Sequence, residues 1–326
     1  MILANLNSSF DGFFGVFSMT SFILVAALVL DRLLGEPKTW HPLIWFGRWV
    51  DLCRQHIQLP LDASASRQRM VGVSAWLVAV LPWVMILLAL FWLLPSWLDT
   101  LLSVVVLYFA IGWQSLREHA LAIYQPLSTD PLSSEKLDEA RLAVSYIVSR
   151  DTQNLDESAV AKAGIESVLE NGSDAIFAPI FWFILFGAPG VLLYRLANTL
   201  DAMWGYKTES LRYFGWCAAR FDDVLNYVPA RLVVYTYGAC GKWRSAIRSA
   251  RRPSARWKSP NAGPVMAAGA GALGIQLGGE APYFGKVETR PILGEGDLPM
   301  PQHLKEAIWL VDKSVYLWGL VICLLV

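Results

Sequence analysis

Val71-Gly-Val-Ser-Ala-Trp-Leu-Val-Ala-Val-Leu-Pro-Trp-Val-Met-Ile-Leu-Leu-Ala-Leu-Phe-Trp-Leu-Leu94 runs for 24 residues without one charged side chain. About 20 mostly apolar residues cross the hydrocarbon of a bilayer as a helix, so this stretch identifies an integral membrane protein. Pro82 inside it is tolerable where neighbouring helices re-satisfy the backbone. Pro95-Ser96 marks a turn, and Leu98 to Trp113 returns across the membrane. Upstream, Phe13 to Leu30 is a further apolar run, closed by Asp31-Arg32. No basic region precedes it, so it reads as a retained span and not a cleaved signal. Downstream, Ile176 to Ala197 is interrupted at Gly187-Ala-Pro-Gly190, Val224 to Ala239 is kinked at Pro229, and Ala307 to Val326 carries Asp312 and Lys313. The expected fold is all-α and polytopic, a single membrane-embedded catalytic unit over residues 1–326 with about 5–6 embedded segments, some broken or re-entrant. Three spans fall in 13–113, a soluble acidic helical segment in 115–175, and broken or kinked segments with cytoplasmic loops in 176–326.

Composition agrees. Apolar residues make up 55% of the 326 and charged residues 17%, where soluble domains carry roughly 25% charged. The 15 Trp and 15 Phe suit interfacial belts. Lys plus Arg equals Asp plus Glu at 27 each, so bulk charge gives no reason to expect nucleic acid as a partner. Cys53, Cys217, Cys240 and Cys323 form no CxxC pair, which argues against a zinc site or a disulfide frame. Residues 32–70 hold six basic side chains, and residues 241–258 hold seven with no acid. Basic loops stay inside, so both are expected in the cytoplasm, as is the 115–175 segment that follows the 71–113 hairpin.

Residues 115–175 carry eleven acids against five bases. Ser133 or Ser134 can cap one helix there. Asn154 with Glu157 resembles a capping box for a second, and Gly172 is a natural stop. On the second helix Glu166, Glu170 and Asp174 are spaced by four. Like charges at that spacing repel weakly. Two readings fit: a solvated face softened by Lys162, or a divalent cation that turns repulsion into coordination, as Mg²⁺ does with carboxylates and substrate phosphates. Arg150-Asp151-Thr152 lies in the turn before them, either as ordinary turn chemistry or as a loop for phosphate and metal. A third set, Arg195, Asn198, Asp201, Lys207, Arg220, Asp222, Asp223, Asn226 and Arg231, surrounds apolar stretches. Ionisable groups at membrane depth are costly and tend to be functional; mutual pairing, such as Arg220 with Asp223, is the plainer account. Gly269-Ala-Gly-Ala-Leu-Gly274 matches GxGxxG as a string, but no strand precedes it, so close helix packing explains it better.

The order of these pieces resembles the adenosylcobinamide-phosphate synthase family of cobalamin biosynthesis. The match rests on Asp31-Arg-Leu-Leu-Gly-Glu-Pro37 with His41-Pro42, and on Ser149-Arg-Asp-Thr152 leading to Ile165-Glu-Ser-Val-Leu-Glu-Asn171 and Asp174. It continues through Ala178-Pro179, Asn198-Thr-Leu-Asp201, Gly205-Tyr-Lys207, Ala219-Arg-Phe-Asp-Asp223 and Pro229-Ala-Arg231, to Ser259-Pro-Asn-Ala-Gly263 and Leu277-Gly-Gly279. The resemblance implies an ATP-dependent amide ligase that joins adenosylcobyric acid to an aminopropanol or ethanolamine-type phosphate, with ATP and Mg²⁺ as cofactors. It implies metal binding at Glu166, Glu170, Asp174 and Asp151, and phosphate contacts at Arg150, Lys207, Arg220 and Arg231. Asp222 or Asp223 would take the amine's proton, and Asn198, Asp201 and Asn261 would contact substrate. Expected partners are the inner-membrane bilayer, the corrinoid, and either further copies of the chain or neighbouring pathway enzymes, with the site facing the cytoplasm. A related regulatory family has a similar span layout but lacks the Glu170-Asn171 and Ser259-Pro-Asn261 elements present here. A transporter would carry acids within its clear spans and an internal repeat, and neither occurs in 13–30 or 71–94.

Overall fold

The computed structural model describes residues 19–37, 39–60, 62–206, 208–251, 257–283 and 285–325. Twelve helices and one hairpin account for most of them: α1 (19–34), α2 (Pro42–Ile57), α3 (Ala65–Leu93), α4 (Ser96–Ala110), α5 (Trp113–Leu127), α6 (Ser134–Ser145), α7 (Glu157–Gly172), a π-helical turn (Ser173–Phe177), α8 (Ala178–Trp204), α9 (Trp216–Cys240), α10 (Trp243–Arg251), α11 (Ala262–Leu273), β1 (Gln276–Tyr283), β2 (Lys286–Gly294) and α12 (Pro301–Leu324). The chain is an all-α polytopic membrane protein with one small antiparallel sheet.

Among the described residues, four helical stretches are long and apolar enough to cross a membrane: Ala65–Leu93, Ser96–Leu127, Glu157–Trp204 and Pro301–Leu324. The run expected from Val224 lies in α9, which does not meet that standard, because Asp222, Asp223, Asn226 and Arg231 dilute its apolar residues. Residues 13–18 of the first expected span lie outside the described residues. α7 ends at Gly172 as expected, but the chain continues through the π turn into α8, and the glycine also serves packing, since a Cβ there would come 2.7 Å from the Tyr237 hydroxyl. The cap of α7 is Asp156, accepting from the Ala159 N–H at 2.7 Å, and not Asn154; Leu155 donates back to Thr152 and closes a turn before the helix begins. Ser133 caps α6 as expected.

The chain divides into two compact units. The first comprises Met1–Gly112, Ala178–Leu225 and Gly319–Val326. Its core packs Phe46 and Val50 of α2 against Ala75, Trp76 and Ala79 of α3 and Tyr194, Leu200 and Trp204 of α8. Small residues permit the close approach: a Cβ on Gly72 would sit 2.0 Å from the Phe214 carbonyl oxygen. Large apolar side chains of α3 such as Met85, Trp92 and Leu93 are more than half exposed, as a lipid-facing surface requires.

The second unit comprises Trp113–Phe177 and Asn226–Trp318. Here α5 packs on α6 and α7, and α11 packs on α7, α10 and the hairpin. The glycines of the GxGxxG string do the work expected of them in α11. Cβ atoms on Gly269 and Gly271 would meet Leu169 and Ser245 at 2.5 and 2.6 Å, while Gly274 (φ 80) ends the helix in the left-handed region. Asp312 of α12, 6% exposed, is satisfied by the Trp113 indole N–H at 2.7 Å and the Arg117 guanidinium at 2.6 Å.

Candidate active site

Buried positions on α7 run almost unbroken from Val160 to Leu169, and this draws Glu166 to 2% exposure. A carboxylate in that position must be paired and hydrogen-bonded. The hairpin supplies most of what it needs. The register of β1 against β2 shifts between Gly278 and Gly279. Both glycines have positive φ, 76° and 70°, and a Cβ on Gly278 would lie 2.1 Å from the Pro291 carbonyl oxygen. The bulge turns the Gly278 N–H toward Glu166 Oε1 at 2.8 Å. At the shift itself, paired with Gly279, Arg290 forks onto both carboxylate oxygens, Nη1 to Oε2 at 3.0 Å and Nη2 to Oε1 at 3.1 Å. Arg150 Nη2 donates to Oε2 from the other side.

A third cation lies near: Lys162, one turn before Glu166, feels its charge and reaches the Glu280 carbonyl at 3.4 Å. The Arg290 guanidinium lies over Trp257 at 5.1 Å and Arg150 over Tyr283 at 5.9 Å. Burial works against the Arg150 charge, but the Glu166 carboxylate outweighs it and Glu170 acts in the same direction, so Arg150 is held above its ordinary range. Its Nε is buried without a partner. The turn carrying Arg150 is tied to the hairpin as well: the Asp151 N–H donates to the Pro282 carbonyl at 3.0 Å, and the Asp151 carboxylate accepts from the Gly285 N–H at 2.7 Å. Three cations gather here on one fully engaged carboxylate, with Glu170 and Asp151 beside them, and spare guanidinium N–H groups in such a cluster suit phosphate oxygens.

The four residues expected to hold metal do not form one set. Among the described residues no three His, Cys, Asp or Glu side chains are grouped to hold an ion. Glu166 has its acceptor sites taken by two guanidiniums and an amide. Glu170 and Asp174, one turn apart and half-buried at the junction of α7 with the π turn, are the pair whose chemistry fits Mg²⁺. That ion characteristically takes one or two carboxylates and completes its shell with water and substrate phosphate. Asn171 between them donates to the Ser167 carbonyl at 2.9 Å. Elsewhere in this unit Arg231 donates to Asn261 Oδ1 at 2.9 Å and stacks on Tyr227 at 4.0 Å, while Ser259 Oγ accepts from the Asn261 and Ala262 N–H groups at 3.2 Å.

In the first unit, Asn198 Nδ2 donates to Asp222 Oδ1 at 3.0 Å, and Arg220 pairs with Asp223 at 3.0 Å. The second is an exposed i,i+3 pair of the kind that contributes little stability. The Asp201 carbonyl accepts from Gly205 N–H at 2.6 Å. Lys207 lies outside the described residues.

Arg290, Trp257 and the Gly278 amide escaped sequence reading. Arg290 joins Glu166 across 124 residues, which no local spacing records. Adjacent glycines within a short polar–apolar alternation, Gln276 to Glu280, were the available sign of a bulge.

Comparison with known proteins adds the family. A family model described as CobD/Cbib protein matches residues 24–311. A "Cobalamin biosynthesis protein CobD" of Stutzerimonas stutzeri is 54% identical over 299 residues, covering 92% of this chain and 95% of that one. A protein of the same description from Chromobacterium violaceum is 49% identical over 302 residues, with the same coverage of 92% and 95%. A "Cobalamin biosynthesis protein CbiB" of Salmonella arizonae is 38% identical over 287 residues, covering 85% and 88%. No solved structure matches the chain.

Proposed function

This chain belongs to the CobD/Cbib protein family, and from that premise we propose that it is an adenosylcobinamide-phosphate synthase acting at the inner membrane. In this reading the carboxylate of adenosylcobyric acid takes the terminal phosphoryl group of ATP and releases ADP. The amine of aminopropanol phosphate, or of an ethanolamine-type phosphate, then attacks the acyl carbon; the amide bond forms, phosphate leaves and the amine gives up a proton.

The observation that carries the proposal is the Arg150–Glu166–Arg290 cluster with Lys162 beside it. Phosphoryl transfer is catalysed chiefly by cations fixed in advance where charge develops, so that little reorganisation is needed during reaction. Glu166 fixes both guanidiniums, and the remaining N–H groups of Arg150 and Arg290, with Lys162, are assigned to the phosphates. Glu170 and Asp174 are assigned to Mg²⁺, which when bound would neutralise charge between phosphate groups. Asp151 orders the turn that presents Arg150. Arg231 with Asn261 is assigned to polar contacts with the remaining substrate groups.

The test is to incubate detergent-purified protein with adenosylcobyric acid, Mg-ATP and aminopropanol phosphate, and to follow corrinoid mass together with ADP. A mass gain for amide formation that depends on ATP and amine supports the ligase. No product and no ADP from folded, corrinoid-binding protein would remove it. Full activity in Glu170→Gln would take that residue out of the metal pair.

A further inference from the structure

The first unit encloses a cavity of about 500 Å³, within the range of small-ligand sites. Its wall is built from apolar side chains of α2, α3, α4 and α8, among them Phe46, Leu87, Val105 and Leu196. Trp40, Trp45 and Trp83 form part of its lining and are 62%, 61% and 40% exposed, so the cavity opens at the surface of the unit. Apart from the indole N–H groups, the polar side chains among the described lining residues are His41 and Arg195. His41 is already engaged: Nδ1 accepts from the Leu43 N–H at 3.2 Å and Nε2 faces Glu36 at 3.5 Å.

Arg195 is different. It sits on α8, directly after the uncharged run 175–194 of the Glu157–Trp204 stretch, one of those among the described residues apolar enough to cross a membrane. Its Nε is buried with no hydrogen-bond partner, and among the described residues no carboxylate pairs with its guanidinium. A cation on a membrane helix is costly unless an anion or water meets it. The sequence marked Arg195 as unusual, and the reaction proposed above makes no use of it.

We propose that this cavity is a site for an anionic phospholipid of the surrounding bilayer, whose phosphate pairs with Arg195 while an acyl chain occupies the apolar wall. Both halves of the cavity argue for that occupant. A small soluble anion would meet the guanidinium and leave the apolar wall unfilled. A lipid without net charge would fill the wall and leave the cation less well compensated. Indole rings at the opening suit the boundary between headgroups and chains, since they pair an apolar body with one polar N–H.

The test uses the full chain, purified in detergent, stripped of lipid and titrated under native mass spectrometry. The probes are phosphatidylglycerol, phosphatidylcholine with the same acyl chains, and inorganic phosphate. Phosphatidylglycerol should occupy one site in preference to the other two. Arg195→Gln should weaken it about tenfold, the scale of one lost charge-assisted contact, and Leu87→Trp, which fills the wall and leaves the charge, should weaken it comparably. Binding unchanged in both variants, or phosphatidylcholine bound equally well, would overturn the proposal. Inorganic phosphate binding as tightly as phosphatidylglycerol would assign the site to a soluble anion instead. A measurement on the unaltered chain decides the matter if the variants fold poorly. Phosphatidylglycerol brominated in its acyl chains should quench tryptophan emission more than brominated phosphatidylcholine at equal mole fraction, and equal quenching counts against the site.

Discussion

Glu166 accepts from Arg150, from Arg290 and from a backbone amide, so removing its charge leaves two guanidiniums in a buried setting without the carboxylate they both bond. Breaking a buried pair of this kind costs about 3–5 kcal/mol. We expect Glu166→Gln to lose that much stability in chemical unfolding in detergent. Replacing Glu166, Arg150 and Arg290 together with apolar residues of similar size should restore most of it, since apolar replacements of buried ion clusters are often neutral, while ADP formation stays absent. A Glu166→Gln protein as stable as the parent would show that the cluster is not a buried ionic centre. His41 offers a pH test. Burial pulls its pKa below the ordinary 6.5, against an opposing pull from Glu36. The folded state therefore binds this proton less readily than the unfolded chain does, so its contribution is full above 6.5 and declines as pH falls below that value. Thermal melting between pH 7.5 and 5 should show the decline, and His41→Gln should flatten it. Little of this was legible in the sequence. The acidic spacing located Glu166 but left it between a solvated face and a metal site, because its partners come from 16 and 124 residues away.

The spans were the easiest elements to read, since an uninterrupted apolar run leaves a helix few alternatives in lipid. The hairpin was the hardest. Pro282, Pro291 and four glycines between Gly278 and Gly294 break its alternation into fragments too short to read as strands. Its geometry now makes a prediction with an internal control. Gly278 and Gly279 both sit at positive φ, but a Cβ on the first meets the Pro291 carbonyl oxygen at 2.1 Å, while one on the second meets nothing within 4 Å. Gly279→Ala should cost about 1–2 kcal/mol for left-handed backbone alone. Gly278→Ala should cost clearly more, because the bulge must shift and with it the amide donated to Glu166. Limited proteolysis of the hairpin and thermal melting would rank the two. Equal effects would mean that the close approach to Pro291 is not felt. At Gly172 the glycine that suggested a helix end does close α7, and contact with Tyr237 and Val311 requires the absence of a side chain as well, which the sequence did not show.

At the scale of the molecule, the distribution of charge predicts orientation. Among described residues of the basic stretch, Lys242, Arg244, Arg248 and Arg251 lie in or next to α10, and basic segments near spans stay in the cytoplasm. A cysteine placed at the exposed Arg244, in a chain freed of its own four cysteines, should resist a membrane-impermeant maleimide in spheroplasts and react in inverted vesicles. Reaction in spheroplasts would reverse the assigned orientation and move the second unit's cationic cluster to the outer side. The two compact units were not visible in the sequence, because each gathers segments from both halves of the chain. One feature of α8 bears on how such a chain lives in lipid. Gly187 adopts φ 62 and ψ −156, and Pro189 has no N–H to offer the Leu185 carbonyl four residues earlier. Hydrocarbon cannot solvate that oxygen, so water or another polar group must reach it. A helix that looks dry by composition therefore carries a polar notch, and Val191 and Leu192 beyond it should take up deuterium well before the amides in the middle of the proline-free α4.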